Sequence, residues 1–246
     1  MRKILFLLAM LVPAALQAHS SDFNLSVVVD GSARPEYAAG GTTYIEALRG
    51  RNYTLRVTNP TPHRVAVALS VDGLNTIDAR HTDGWNATKW VIEPYGSIDI
   101  DGWQVSDSTA RRFVFTGERR SYGAALGQTE NLGVIEAIFY RERTARLYEA
   151  PQRYKDEERS AAGAEPRTSA SAPPDDDYAA TGMGGRTRND VTMVDLDLDP
   201  HPAASVRIRY EFRPQLVKLG VFPRTPSPLE RREKARGFDR YCPEPN

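Results

Sequence analysis

The sequence of 246 residues contains a single cysteine, Cys242, close to its C-terminal end. One cysteine cannot form an internal disulfide, so the core has to hold the fold together without a covalent crosslink. The same scarcity excludes zinc sites built from cysteine pairs. Cys242 could form an intermolecular bridge, but we expect a free thiol in the C-terminal tail.

Long apolar stretches are also missing. The most apolar run, Ile4–Val12, has nine residues. As a helix it spans about 14 Å, whereas the hydrocarbon core of a bilayer is roughly 30 Å thick. No later segment is longer or more apolar, so we predict no transmembrane segment after the N-terminal run has been removed.

The run has the flanks of a secretory signal peptide. Two basic residues precede it, Pro13 ends it and Ala18 supplies a small residue at the cleavage point. We predict a signal peptide over residues 1–18, a mature chain that begins near His19, and a periplasmic or secreted location. An uncleaved N-terminal anchor is the alternative.

Neither sign of charge is in excess, since the 32 Lys and Arg residues balance the 32 Asp and Glu residues. Cleavage after residue 18 removes Arg2 and Lys3 and no acidic residue, which leaves the mature chain with a formal charge of −2. A nucleic-acid partner requires a clearly basic face or stripe, so we expect none. The partner we expect is an envelope protein or a glycan.

Motifs that carry chemistry are absent. The sequence has no G-x-S-x-G elbow, no P-loop and no G-x-G-x-x-G fingerprint. Its four histidines (His19, His63, His81 and His201) do not stand at metal-ligand spacing. We predict no catalytic residue, no cofactor, no metal and no enzymatic activity.

Three aspartates near the C-terminal end are the best candidates for a metal site. Asp195, Asp197 and Asp199 alternate with apolar residues, so a strand would project all three carboxylates from one face. Oxygen ligands on one side could bind Ca²⁺, but an extended strand spreads them about 7 Å apart. We favour a charge-paired solvent face in which Arg207 and Arg209 neutralise them.

The fold is predicted from a repeating pattern over residues 22–145. Short runs rich in Val, Ile, Thr, Tyr and Phe are bounded by turn signals such as Asp72-Gly73 and Pro94-Tyr95-Gly96. Apolar and polar residues alternate in several runs, as in Tyr53–Thr58. This pattern predicts an all-β protein, specifically an antiparallel β-sandwich of immunoglobulin-like or jelly-roll type.

The composition changes beyond this region. Residues 146–181 are charged and then low in complexity, which predicts a flexible linker. Residues 182–222 alternate again and predict a C-terminal β-hairpin with Asp197 opposite Arg207, docked on the sandwich through its apolar face. Residues 223–246 are predicted to form a mobile tail.

Several short motifs, taken together, resemble those of a group of uncharacterised exported bacterial β-sandwich proteins. They are VDGLN at 71–75, DGW at 101–103, RFVFT at 112–116, NLGVI at 131–135, TGMG at 181–184 and RYEF at 209–212. The resemblance spans about residues 23–221 without the linker, and Met183 stands where the group would have tryptophan. It implies bacterial origin, export and the β domain, but no activity.

Aromatic residues suggest one binding hypothesis. Five lie in or beside predicted turns, with carboxylates and amides near them: Trp85, Trp90, Tyr95, Trp103 and Tyr122. Exposed rings with polar neighbours can hold sugars by stacking and hydrogen bonding. The alternative is that Trp103 and Trp90 pack inside the fold, as tryptophans usually do.

These observations leave three functional hypotheses. The leading one is a non-enzymatic exported envelope protein that acts by binding or structural association. The second is a carbohydrate-binding module that uses the five aromatic residues. The third, least favoured, is a hydrolase that uses a carboxylate pair such as Asp99 and Asp101.

The signal peptide generates the first testable prediction. Mass spectrometry of the exported protein should give a mature N terminus at or near His19. Exported material that retains residues 2–18 would contradict it.

Overall fold

The structure, a computed structural model, describes residues 23–143, 175–223 and 232–233. The predicted signal peptide, residues 146–174 of the predicted linker and almost all of the predicted tail, including Cys242, lie outside these ranges.

The predicted all-β sandwich is confirmed, because two seven-stranded sheets pack together around a shared apolar core. Strands are numbered in chain order. The first sheet contains β1 (Asn24–Val29), β2 (Ser32–Ala33), β5 (Asn52–Thr58), β9 (Ser97–Ile100), β10 (Gly102–Ser106), β11 (Thr109–Gly117) and β13 (Ala179–Arg188). The second contains β3 (Glu36–Ala39), β4 (Thr42–Glu46), β6 (Val65–Val71), β7 (Leu74–Asn75), β8 (Trp90–Ile92), β12 (Val134–Arg141) and β14 (Ala204–Glu211). The described helices are short: a 3₁₀ turn at Glu118–Arg120, α1 at Tyr122–Ala125 and α2 at Arg213–Lys218.

Side-chain alternation explains which face of each strand enters the core. In β5, Tyr53, Leu55 and Val57 are buried between the sheets, as their spacing predicts. Strand β6 is different, because Ala66 and Ala68, which point away from the core, are buried too. A loop therefore has to cover the outer face of β6, and this covered face is where the candidate site lies.

The order of the strands departs from a purely antiparallel sandwich at one place. Strand β14 lies between β12, which it pairs antiparallel, and β4, which it pairs parallel. Its buried residues Ile208 and Tyr210 belong to the shared core. The C-terminal segment is thus built into the interior of the second sheet.

The predicted C-terminal hairpin is wrong. Strand β13 pairs with β11 in the first sheet, whereas β14 belongs to the second sheet. The predicted linker also ends earlier than expected, since β13 begins at Ala179. Residues 193–198 form no strand; they make an isolated bridge at Leu198, and Met193 is 82% exposed.

The charge pairing shows why the hairpin prediction failed. Arg207 pairs with Glu136 of β12 at 2.7 Å, while Asp197 lies 3.6 Å from Arg143. A cross-strand carboxylate on β12 satisfies the arginine as well as Asp197 would. A two-stranded hairpin is marginal in water, whereas β14 inside a sheet gains partners on both edges.

A buried polar network joins the two sheets through Asp72, which is 2% exposed. Asp72 and Gly73 form the two-residue turn between β6 and β7, and both have positive φ (54° and 76°). The Asp72 carboxylate accepts hydrogen bonds from the Gly133 amide (2.8 Å), the Thr181 amide (2.7 Å) and the Tyr210 hydroxyl. Three separate segments of the chain therefore converge on one carboxylate.

The network continues through hydroxyl groups into the first sheet. The Thr181 and Tyr210 hydroxyl oxygens lie 2.7 Å apart, and the Tyr53 and Thr181 hydroxyl oxygens also lie 2.7 Å apart. Because each hydroxyl has one proton and Tyr210 donates to Asp72, Thr181 is left to donate to Tyr210 and Tyr53 to Thr181. The carboxylate is the acceptor at the end of this chain.

Burial raises the pKa of Asp72 to about 7, although the hydrogen bonds that it accepts act to lower it. Burial also raises the pKa of Tyr53 and of Tyr210. Since the folded protein holds the Asp72 proton more tightly than the unfolded chain does, folding is favoured at low pH. This contribution is complete below the ordinary pKa of 3.8 and is lost as the pH rises through about 7.

We predict that the free energy of unfolding falls between pH 4.5 and pH 8, and that Asp72→Asn removes most of this slope. The variant should also be about 1–3 kcal/mol less stable at pH 6, because its amide N–H groups face donors. Urea unfolding across this pH range measures both effects. Asp107→Asn, in an exposed turn, is the matched control and should keep the wild-type slope. A slope that survives in Asp72→Asn would contradict the assignment.

Candidate binding cleft

The outer face of β6 is covered by residues 76–89, called the roof loop. Asn75 clamps both ends of the loop: its side-chain amide donates to the Thr88 carbonyl at 2.7 Å, and its side-chain oxygen accepts from the Ile77 amide at 2.8 Å. Asn75 itself is buried. The loop is therefore held by the strand from which it emerges.

The tip of the roof loop is fixed by two further side chains. Asp83 accepts from the Trp85 amide (2.9 Å) and the Asn86 amide (3.0 Å), and hydrogen bonds from Asn86 lower the pKa of Asp83. The Lys89 ammonium group donates to the carbonyl oxygens of Trp85 (2.5 Å) and Ala87 (2.8 Å). The tip is thus ordered by its own polar groups.

Gly84 brings the tip against the sheet. A Cβ atom at this position would stand 2.7 Å from the Ile138 Cδ1 atom and 3.0 Å from the Tyr140 hydroxyl. Real side-chain carbons do not approach so closely, so a larger residue here would have to displace the end of the Ile138 or Tyr140 side chain. The loop meets β12 here and leaves an opening farther along the strand.

Between the roof loop and the sheet lies a cleft of about 450 Å³, called the roofed cleft. Its floor is formed by outward side chains of β6, β12 and β14. Ala68 and Ser70 on β6 are small, which creates the depth of the cleft. The sheet also contributes three charged residues to the cleft, Glu136, Arg207 and Arg209. The roof loop contributes Arg80, His81 and Asp83.

The charges in the cleft are unequally paired. Glu136 is engaged by Arg207 at 2.7 Å, and Asp83 is occupied within the loop. Arg80 and Arg209, by contrast, form no salt bridge and donate no side-chain hydrogen bond to any residue in the described ranges. The cleft therefore presents two guanidinium groups that donate no side-chain hydrogen bond within the described residues, although Glu211 on β14 interacts electrostatically with Arg209.

His81 also lines the cleft, and its ring is held by the turn that carries Asp72. The His81 Nδ1 atom lies 2.9 Å from the Gly73 carbonyl oxygen, so a proton on Nδ1 would be donated to that carbonyl. The roof loop, the Asp72–Gly73 turn and the cleft are thus in direct contact.

The five predicted aromatic residues do not share one face. Trp103, on β10 of the first sheet, is 2% exposed and makes edge-to-face contacts with Phe113 of β11 (5.2 Å between ring centroids) and Tyr122 of α1 (5.0 Å). The face of its ring is not available to a sugar. Trp90, on the second sheet, is half-buried and donates its indole N–H to the Thr76 hydroxyl at 2.9 Å.

Trp85 and Tyr95 remain accessible. Trp85, at the tip of the roof loop, is 42% exposed and contacts Tyr140 at 5.4 Å. Tyr95 is 71% exposed in the turn between β8 and β9. Neither ring lines the roofed cleft, although Trp85 adjoins the cleft residue Gly84.

Asp99, on β9, and Asp101, between β9 and β10, line the same pocket on the outer face of the first sheet. Asp99 forms a double hydrogen bond with Arg56, both at 2.8 Å, which lowers the pKa of Asp99. Asp101 accepts from the Thr54 hydroxyl at 2.6 Å. A general acid needs a raised pKa, which this pairing opposes.

The aspartates considered as calcium ligands contact different residues. Asp197 lies near Arg143, and Asp199 contacts His201 at 3.2 Å. The predicted pairing of these aspartates with Arg207 and Arg209 is therefore wrong. Over the described ranges, no group of three or more His, Cys, Asp or Glu side chains is placed to hold a metal ion.

Sequence reasoning did not identify the cleft residues as a group. The alternation of Arg207 and Arg209 with apolar residues predicts that they point away from the core, which is correct. Their position opposite β12 and beneath a loop more than a hundred residues earlier has no local signal.

Comparison with protein-family models, curated proteins and solved structures finds no match to this chain. In the described parts of the chain, no helix has the length and apolar character needed to cross a membrane.

The aromatic residues generate a prediction about stability. Trp103→Ala should lower the free energy of unfolding by about 3–5 kcal/mol, because it empties a core site. Trp85→Ala should cost no more than about 1 kcal/mol, the worth of its ring contact with Tyr140. Urea denaturation of both variants tests this, and equal losses would contradict it.

Proposed function

We propose that the protein is an exported envelope protein that acts by binding a ligand in the roofed cleft, without catalysing a reaction. The observation that carries the proposal is a pair of guanidinium groups, Arg80 and Arg209, that donate no side-chain hydrogen bond within the described residues and line a concave site of ligand size. On the outer face of the first sheet, by contrast, Arg56 is paired with Asp99.

The rigidity of the roof loop supports binding at this site. Asn75, Asp83 and Lys89 already hold the loop in place through its own backbone. A preformed site spends little of the interaction energy on ordering itself, which increases the affinity available for a ligand.

Carbohydrate binding is the second candidate. It is favoured by the exposed rings of Trp85 and Tyr95, which could stack on sugar faces. This candidate places the ligand outside the cleft, at the tip of the roof loop or at the turn after β8.

A matched pair of substitutions tests the proposal. Ser70→Phe fills the cleft from its floor, whereas Ser26→Phe makes the same change on the outer face of the first sheet. Thermal unfolding is measured with a library of sugars, organic acids and phosphorylated metabolites. A ligand present at 100 times its Kd contributes about 2.7 kcal/mol, a rise of roughly 5–10 °C for a protein of this size.

We expect at least one compound to stabilise the wild type and Ser26→Phe but not Ser70→Phe. A compound that stabilises all three proteins equally would place binding outside the cleft. If that stabilisation is lost in Trp85→Ala or Tyr95→Ala, the carbohydrate candidate is correct instead. No stabilisation by any compound would contradict both.

A further inference from the structure

The Arg80 and Arg209 guanidinium groups indicate the class of ligand. This inference rests on the proposed binding in the roofed cleft. We propose that the ligand is a small anionic molecule, about one or two sugar rings in size, whose carboxylate or phosphate group is bound by Arg209 and Arg80.

The register of the second sheet explains why no carboxylate lies opposite Arg209 on a neighbouring strand. Its neighbour on β12 is Val134 and its neighbour on β4 is Tyr44, so neither adjacent strand offers a carboxylate. Arg207, two residues earlier on the same face, lies opposite Glu136 and pairs with it. Glu211, two residues later on β14, attracts Arg209 electrostatically, but the Arg209 donors form no hydrogen bond within the described residues and can bind a group that enters the cleft.

Arg80 reaches the cleft from the opposite side, on the roof loop. Its backbone is fixed at both ends: its amide donates to Asp78 at 3.0 Å, and its carbonyl accepts from the Asn75 amide at 3.1 Å. Asp78 is used by this amide and by the Thr88 hydroxyl. The loop thus fixes the Arg80 backbone, and the guanidinium group donates no hydrogen bond to a described residue.

Two guanidinium groups on facing walls suit an anion. Guanidinium forms paired, charge-assisted hydrogen bonds with carboxylate and phosphate oxygens, and such bonds are stronger than neutral ones. The acidic groups that line the cleft weaken this attraction little, since Glu136 is paired with Arg207, and Asp83 interacts with the Lys89 ammonium group. A neutral ligand would give neither guanidinium group an anionic hydrogen-bond acceptor.

The size of the cleft limits what the anion can be attached to. A volume of about 450 Å³ lies near the lower end of the range for small-molecule sites, which is roughly 300–1,000 Å³. It is large enough for a monosaccharide or disaccharide bearing an acid group.

Calorimetric titration with four probes tests the inference: glucuronate, glucose 6-phosphate, inorganic phosphate and neutral glucose. We expect at least one anionic probe to bind at least tenfold more tightly than glucose. The first two probes compare carboxylate with phosphate on the same sugar, and inorganic phosphate shows whether the sugar contributes.

Arg209→Gln and Arg80→Gln should each weaken that binding roughly 10- to 100-fold, the usual effect of removing one charged hydrogen-bond partner. Arg209→Lys should recover only part of the affinity, because an ammonium group lacks the paired geometry. Arg186→Gln, on β13 of the first sheet, is the matched control and should bind like the wild type.

The inference and the proposed function fail in different ways. Binding of glucose as tight as that of the anions, lost in Ser70→Phe but kept in Arg209→Gln, would overturn the inference and leave the cleft as the binding site. Anion binding that survives Ser70→Phe would overturn both. Failure of all four probes to bind would overturn the inference, while the metabolite library still tests the proposed function.

Discussion

The Asp72 carboxylate, buried between the sheets, sets the relative positions of the elements around it. A buried carboxylate without partners costs several kcal/mol, so its donors have to be in place when the protein folds. Those donors come from Gly133 before β12, Thr181 on β13 and Tyr210 on β14. One turn between β6 and β7 thereby fixes where three later segments of the chain dock. Removing any donor leaves the charge under-satisfied, which makes the arrangement specific as well as stable.

The same constraint shapes the outer face of the second sheet. Tyr210 points inward to Asp72, so its neighbour Arg209 has to point outward. The register that satisfies the buried carboxylate also places Arg207 opposite Glu136 and Arg209 opposite Val134. The lack of a cross-strand carboxylate opposite Arg209 therefore follows from the register that the buried network on the other side of the strand requires.

Local patterns predicted the elements but not their partners. Alternation in β5 and β14 identified the strands and their inward residues, and Asp72-Gly73 was recognisable as a turn. Nothing local distinguishes a β14 that pairs with residues 194–198 from one that pairs with β12, because Asp197 and Glu136 offer Arg207 the same charge. The cleft was unpredictable for the same reason, since Arg80 and Arg209 are brought together only by long-range pairing. The burial of Trp103 was foreseen as an alternative, whereas the exposure of Trp85 depends on how the roof loop folds.

The positions of the residues with shifted pKa values also bear on where a catalytic acid or base could act. A carboxyl group with a pKa near 7 is often a sign of a catalytic acid or base. Here that group is Asp72, which is 2% exposed and enclosed by donors, so a substrate has no access to it. The acids that do face the roofed cleft, Glu136 and Asp83, are held by an ion pair and by loop amides. The perturbed pKa thus belongs to the buried framework of the fold and not to the roofed cleft.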